Sequence, residues 1–320
     1  MNHFKQIAAK LDDYHLDAML LSCQANRFYA SGFHSSGTDG MALITREKNY
    51  YFTDARYTEA AGRAVQDAEL REVSAGKGYS LRLKEAVREQ SVRRMGFEDA
   101  YMTVKEYETY RKALPCELVP ATELLLELRR VKGREELEAM AAAQRIAEHA
   151  LADILKELRP GVTEREIAAR LLYLMLHYGA ENMSFDPIVV SGPNGSLPHG
   201  VPSERQLQSG EFVTMDFGCI CRGYCSDMTR TVALGAATEE MRAVYEAVLA
   251  AQQAGIAAAR AGVTGKAVDA AARQVIESAG YGPYFSHSFG HGVGVESHES
   301  PNASSANHKP LPARALISAE

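Results

Sequence analysis

The chain has 320 residues, more than a single ordinary domain of ~100–200 residues, so two domains are expected. Its 46% hydrophobic and 24% charged residues match soluble globular proteins and exclude a disordered, collagenous or disulfide-scaffold chain. A net charge of −6, from 35 basic and 41 acidic residues, gives no net drive toward nucleic acid or anionic membrane, and no partner of either kind is expected. No run approaches the ~18 apolar residues of a membrane span. The N-terminus is mixed polar and apolar and has no signal-peptide core. Five unevenly placed cysteines suit a reducing cytoplasm better than a disulfide framework.

In chain order, Asp17–Ser22, Met41–Thr45 and Tyr50–Thr53 read as buried strands, and Met95–Glu98 as a further short one. Helical patterns occupy Leu81–Glu89 and Val104–Lys112. This alternation predicts a layered α/β domain ending near Pro115 and Pro120. Glu123–Lys132 leads into a long helical pattern, and the domain boundary is placed near residue 126. An internal repeat follows: Arg159-Pro-Gly-Val-Thr163 recurs as Arg260-Ala-Gly-Val-Thr264. Each copy follows an alanine-rich helix and precedes a helix that its threonine can cap. The first long helix carries Met140, Ala143, Ala147, Leu151, Ile154 and Leu158 on one face; the second spans roughly Glu239–Arg260. The capped helices stop at Gly179 and Gly280. Two similar halves around a pseudo-twofold axis, with a site between them, would explain the pattern; coincidence between alanine-rich helices is the other reading.

Phe212–Val232 alternates about Arg222-Gly223 and reads as a β-hairpin. With a two-residue loop, Asp216 faces Thr229, and Asp227 lies one step along on the same face. Such diagonal neighbours are ~7–8 Å apart at the backbone, and their side chains reach inward. Two carboxylates so placed repel, so one is protonated or a cation sits between them, unless both are solvated on an outer face. The small Thr214, Gly218 and Thr229 on that face leave room for a ligand. Cys219 and Cys221 fall on the opposite face with Val213, Met215 and Phe217, whereas Cys225 falls on the aspartate face. They do not converge on a zinc ion and read as small core residues. His199, His291 and His298 stand in small-residue segments of the same half, where each could be a loop or core histidine or part of a site.

These segments resemble the metallopeptidases of the methionine aminopeptidase, prolidase and Xaa-Pro aminopeptidase group, which share the pita-bread fold. The resemblance is carried by Ser184–Asn194, Leu197-Pro-His-Gly200, Asp216-Phe-Gly218, Asp227-Met-Thr-Arg-Thr231, Phe289-Gly-His-Gly292 and His298-Glu299. Asn26–Phe33 and Tyr51–Ala60 resemble the creatinase-type N-terminal domain, which favours the Xaa-Pro branch. The resemblance implies an α/β (α+β) chain with a creatinase-like domain at 1–126 and a pita-bread metallopeptidase domain at 127–320. It further implies a metal-dependent exopeptidase, acting through a hydroxide shared by two cations, on the bond between an N-terminal residue and proline. Asp216 would bind one ion, Asp227 would bridge both and His291 would ligate the second. Glu320, in Leu316-Ile-Ser-Ala-Glu320, would be a ligand and the general acid/base, with His199 and His298 stabilising the oxyanion. The cofactors implied are two divalent ions, Mn first, with Co or Zn fitting the donor set. The partners implied are a proline-containing peptide and a second copy in a homodimer. A fifth ligand, a glutamate bridging both metals, would lie beyond Glu320, and Ala313-Arg314 stands where the family usually has a glycine turn; a chain ending at Glu320 is therefore expected to lack the C-terminal strands, bind one metal poorly and be weakly active. The other readings are a catalytically lapsed pita-bread protein that binds peptides or proteins, and a metal-independent relative acting on an amidino compound, against which the two aspartates speak.

Overall fold

The computed structural model describes residues 1–320 and divides into two compact units, Met1–Arg129 and Arg130–Glu320. In the first unit the strands are β1 (Ala18–Leu21), β2 (Met41–Thr45), β3 (Asn49–Asp54), β4 (Glu69–Val73), β5 (Arg94–Phe97) and β6 (Glu117–Pro120). The helices are α1 (Phe4–Lys10), α2 (Gln24–Ser31), α3 (Thr58–Ala64), α4 (Tyr79–Glu89), α5 (Val104–Ala113) and α6 (Thr122–Arg130). One sheet runs β4-β3-β2-β1-β5-β6. β1 pairs antiparallel with β2 and parallel with β5, so the centre of the sheet is mixed. Its central strands are apolar on both faces, as strands covered by helices must be; β1 and β2 are buried at every residue. Leu20, Leu43, Phe52, Met95 and Phe97 pack with Leu83, Ala86 and Val87 of α4. The two edges, Glu69–Val73 and Glu117–Pro120, are charged and half exposed. The charges of β4, and the shortness of β6 with its closing proline, hide both from a hydrophobic-run reading, and neither is among the strands expected from sequence.

The second unit opens with the helices α7 (Arg134–Glu157) and α8 (Glu164–His177). Its strands are β7 (Asn182–Met183), β8 (Ile188–Ser191), β9 (Glu211–Phe217), β10 (Cys219–Cys221), β11 (Tyr224–Cys225) and β12 (Met228–Leu234). Then come α9 (Glu239–Ala258), α10 (Gly265–Ser278), β13 (Gly290–Gly292) and β14 (Glu299–Ala303). The pattern that starts at Glu123 is not one helix: α6 ends at Arg130 and α7 starts at Arg134. Lys132, in the break, is buried against Glu299 at 2.7 Å. The face expected of α7 is the buried one, through Met140, Ala143, Ala147 and Ile154.

The two repeats fold alike. Thr163 and Thr264 cap α8 and α10 by accepting from the N–H of Glu166 and Ala267. Ahead of each cap the backbone makes the same exchange. Gly161 N–H donates to Leu207 O at 3.0 Å and Leu207 N–H to Val162 O at 2.9 Å. In the second copy Gly262 N–H donates to Leu311 O at 2.9 Å and Leu311 N–H to Val263 O at 2.8 Å. Each helix pair thus carries a returning loop in the same register.

Candidate metal centre

The hairpin supplies two of the site's carboxylates. Arg222 and Gly223 adopt φ 51° and 76°, the left-handed pair that a tight two-residue hairpin turn needs. Glu181 accepts both of their N–H groups, at 2.8 and 2.9 Å, and fixes the turn. Register then follows: Cys221 faces Tyr224, Phe217 faces Met228, and Asp216 faces Thr229. Val213, Met215, Phe217 and Cys219 go to the core on the other face. All five cysteines are free, and the Cys219 thiol points at the Ala143 carbonyl at 3.3 Å. One local expectation fails. Gly218 does not open space for a ligand, because a Cβ there would overlap the Ser226 carbonyl; glycine is needed for the close crossing of the two strands.

β13 and the final residues bring the other donors. His291 Nε2 lies 2.8 Å from Glu320 Oε1 and 3.5 Å from Asp227 Oδ2. Donor atoms of Asp227, His291 and Glu320 all fall within 4.8 Å of one another. Asp216 stands outside that cluster but close enough for its charge to act on Asp227. The His298 ring stacks on His291, with centroids 3.7 Å apart and planes 20° apart. His199 is exposed, and its charge is felt at both Asp216 and His298.

The electrostatics are those of a site short of positive charge. Burial, and then the charge of Asp216, push the Asp227 carboxyl up to about 7. Burial also raises Asp216, against a hydrogen bond from Thr229. Burial draws the His291 imidazole down, yet the Glu320 carboxylate, the Gly292 carbonyl and Asp227 outweigh it and leave its pKa raised. Glu320 is lowered in turn, because hydrogen bonds from His291 and Ser318 overcome its burial. His298 is lowered by burial and by its positive neighbour His291.

The residues present fit a divalent cation. Asp216 Oδ1 is buried and has no hydrogen-bond partner, which is costly unless a cation takes the lone pair. Three carboxylates and an imidazole are the donor set of Mn, Co or Zn rather than of a thiolate-bound metal.

Two supporting groups escaped the sequence reading. The Ser318 hydroxyl accepts from His291 N–H at 3.0 Å and donates to Glu320 Oε1 at 2.7 Å, tying two candidate ligands together. Its tie to His291 spans 27 residues and leaves no local signal. Glu299, beside His298, forms the buried pair with Lys132. Nothing local to Lys132 marks it, since the contact closes a loop of 167 residues.

The chain matches the model of metallopeptidase family M24 over residues 138–320 and that of the Creatinase/Prolidase N-terminal domain over residues 4–131. It is 39% identical to the Bacillus subtilis peptidase YqhT over 90% of this chain and 81% of that protein. It is 33% identical to the Xaa-Pro dipeptidase of Pyrococcus horikoshii over 94% of this chain and 83% of that protein. Among solved structures, the Xaa-Pro dipeptidase from Bacillus anthracis superposes with a TM-score of 0.90 at 36% identity, over 96% of this chain and 86% of that one.

Proposed function

We propose, from the premise that this chain belongs to metallopeptidase family M24 and carries its creatinase/prolidase N-terminal domain, that it removes an N-terminal residue from peptides whose second residue is proline. The names of its relatives support that substrate class: they are Xaa-Pro dipeptidases and a putative Xaa-Pro aminopeptidase. All the residues assigned fall in 127–320, which we take as the catalytic domain behind a creatinase-like domain at 1–126.

Asp216, Asp227, His291 and Glu320 are the residues that would hold two divalent ions, with Mn our first choice. Such ions supply a water of lowered pKa and a positive field for a tetrahedral oxyanion. The chain's own residues do the rest. In this reading Glu320 accepts the proton of the attacking water and returns it to the leaving proline nitrogen. His298, held against the His291 ring, and His199, near Asp216, donate to the oxygen that gains charge. The observation that carries the reading is the convergence of Asp227, His291 and Glu320 beside a buried Asp216 oxygen without a partner.

The test is hydrolysis of an Xaa-Pro dipeptide and an Xaa-Pro tripeptide by Mn²⁺-loaded protein, with metal content measured in parallel. His291→Ala is expected to lose metal and activity together. His298→Ala is expected to keep its metal and lose about 10²–10³-fold in turnover, the cost of one oxyanion donor. Failure to cleave either peptide with Mn²⁺, Co²⁺ or Zn²⁺ bound would refute the proposal.

A further inference from the structure

We infer that Asp269 and Arg273, on helix α10, are a positioning pair for the candidate metal ligand His291. This inference rests on the proposed metal centre and names a part of its support. The two residues lie one helical turn apart and meet through both carboxylate oxygens: Arg273 Nε to Asp269 Oδ2 at 3.0 Å and Nη2 to Oδ1 at 3.2 Å. Asp269 is 1% exposed. Together they grip the chain just before β13. Arg273 Nη1 donates to Phe285 O at 2.9 Å and Nη2 to His287 O at 2.8 Å. Asp269 Oδ1 accepts from Phe289 N–H at 3.0 Å. The guanidinium also lies over the Phe285 ring, 4.3 Å from its centroid.

Residues 285–289 belong to no helix or strand, so their backbone groups have no ladder to satisfy them. The pair supplies those partners at three points within five residues. It therefore fixes the approach of the chain to Gly290 and His291. The chemistry needs these residue types. A planar guanidinium can hold a carboxylate and two carbonyls at once, which an ammonium on a flexible stem does less well. The aspartate must accept from an arginine and from an amide together. Groups bonded directly to ligands typically govern metal affinity by about 10–100-fold; this pair acts through the backbone leading to His291, so its effect is set at the lower end, about tenfold.

The experiment uses the full chain with Arg273→Met, Arg273→Lys and Asp269→Asn, read by calorimetric Mn²⁺ titration, thermal unfolding, and backbone hydrogen exchange over residues 285–292 of the metal-free protein. The inference expects Mn²⁺ affinity about tenfold lower in Arg273→Met, with Arg273→Lys intermediate, and faster exchange at Phe289 and His291 in all three variants. A lowered unfolding temperature with unchanged Mn²⁺ affinity and unchanged local exchange would show a merely structural pair and overturn it. Should Arg273→Met not fold, Arg273→Lys and Asp269→Asn carry the same two readouts. If the parent chain binds none of Mn²⁺, Co²⁺ and Zn²⁺, the proposed function fails on its own account, and the exchange measurement alone decides whether the pair holds this segment.

Discussion

Asp227 is held close to neutral pH by its surroundings, about 7 against 3.8 for a free aspartate, through burial and the neighbouring charge of Asp216. The sign of the consequence is fixed. The folded carboxyl keeps its proton at pH values where the unfolded one has lost it, so the unfolded state is favoured progressively as pH rises. In the metal-free protein this contribution to stability is intact below about pH 4 and is lost between about 4 and 7. The loss is on the order of 2–4 kcal/mol for a shift of this size. Asp227→Asn, which carries no charge at any pH, is expected to flatten that part of the stability profile, measured by urea unfolding of chelator-treated protein. The same variant should retain less Mn²⁺ after dialysis than Asp216→Asn, since Asp227 lies within the donor cluster and Asp216 beside it. An equally steep profile in wild type and Asp227→Asn would show that Asp227 is ionised in the fold. At this scale the carboxylate pair was legible from the sequence because strand register is a local property. Ser318 and Lys132 were not, because each matters through a partner that only the folded chain brings near.

Among the elements, the hairpin β9–β12 was the most legible. Alternation sets its faces, and Arg222-Gly223 permits one loop length, so Asp216 opposite Thr229 followed without coordinates. The edge strands β4 and β6 were illegible for other reasons: β4 carries Glu69, Arg71 and Glu72 in five residues, and β6 is four residues long and ends in Pro120, so neither leaves a periodic trace. Helix α9 shows a third case, in which one glycine is set by a distant contact. Gly255 lies under Phe289, and a Cβ there would enter the aromatic ring. Phe289 is fully buried and stands two residues before His291. Gly255→Ala therefore pits a favourable helix propensity, worth at most about 1 kcal/mol, against an overpacked ring costing about 1–3 kcal/mol. The ring should win, so the variant is expected to unfold at lower denaturant and to bind Mn²⁺ more weakly than wild type. Were Gly255→Ala as stable as wild type with full Mn²⁺ affinity, the contact would not constrain the His291 strand.

For the whole molecule, the repeated motif gave the plan of the second unit: two helix pairs, each capped by a threonine and each followed by a loop returning in the same register. It did not give the placement of donors, which come from a hairpin after the first pair and from β13 and the terminal segment after the second. Asp216, Asp227, His291 and Glu320 all belong to the compact unit Arg130–Glu320. Metal binding is therefore linked to the folding of that unit, since its ligands lie up to 104 residues apart and converge only when it is folded. A ligand present at 100 times its dissociation constant stabilises the state that binds it by about 2.7 kcal/mol. Hydrogen exchange with and without saturating Mn²⁺ should show that gain. Slowly exchanging amides of β9, β12, α10 and β13 are expected to gain protection, by about a hundredfold where they open only through unfolding of the unit. Amides of β1, β2 and β5, in Met1–Arg129, have no ligand among them and are expected to exchange at unchanged rates. Protection confined to the first unit would place Mn²⁺ elsewhere than the proposed donors.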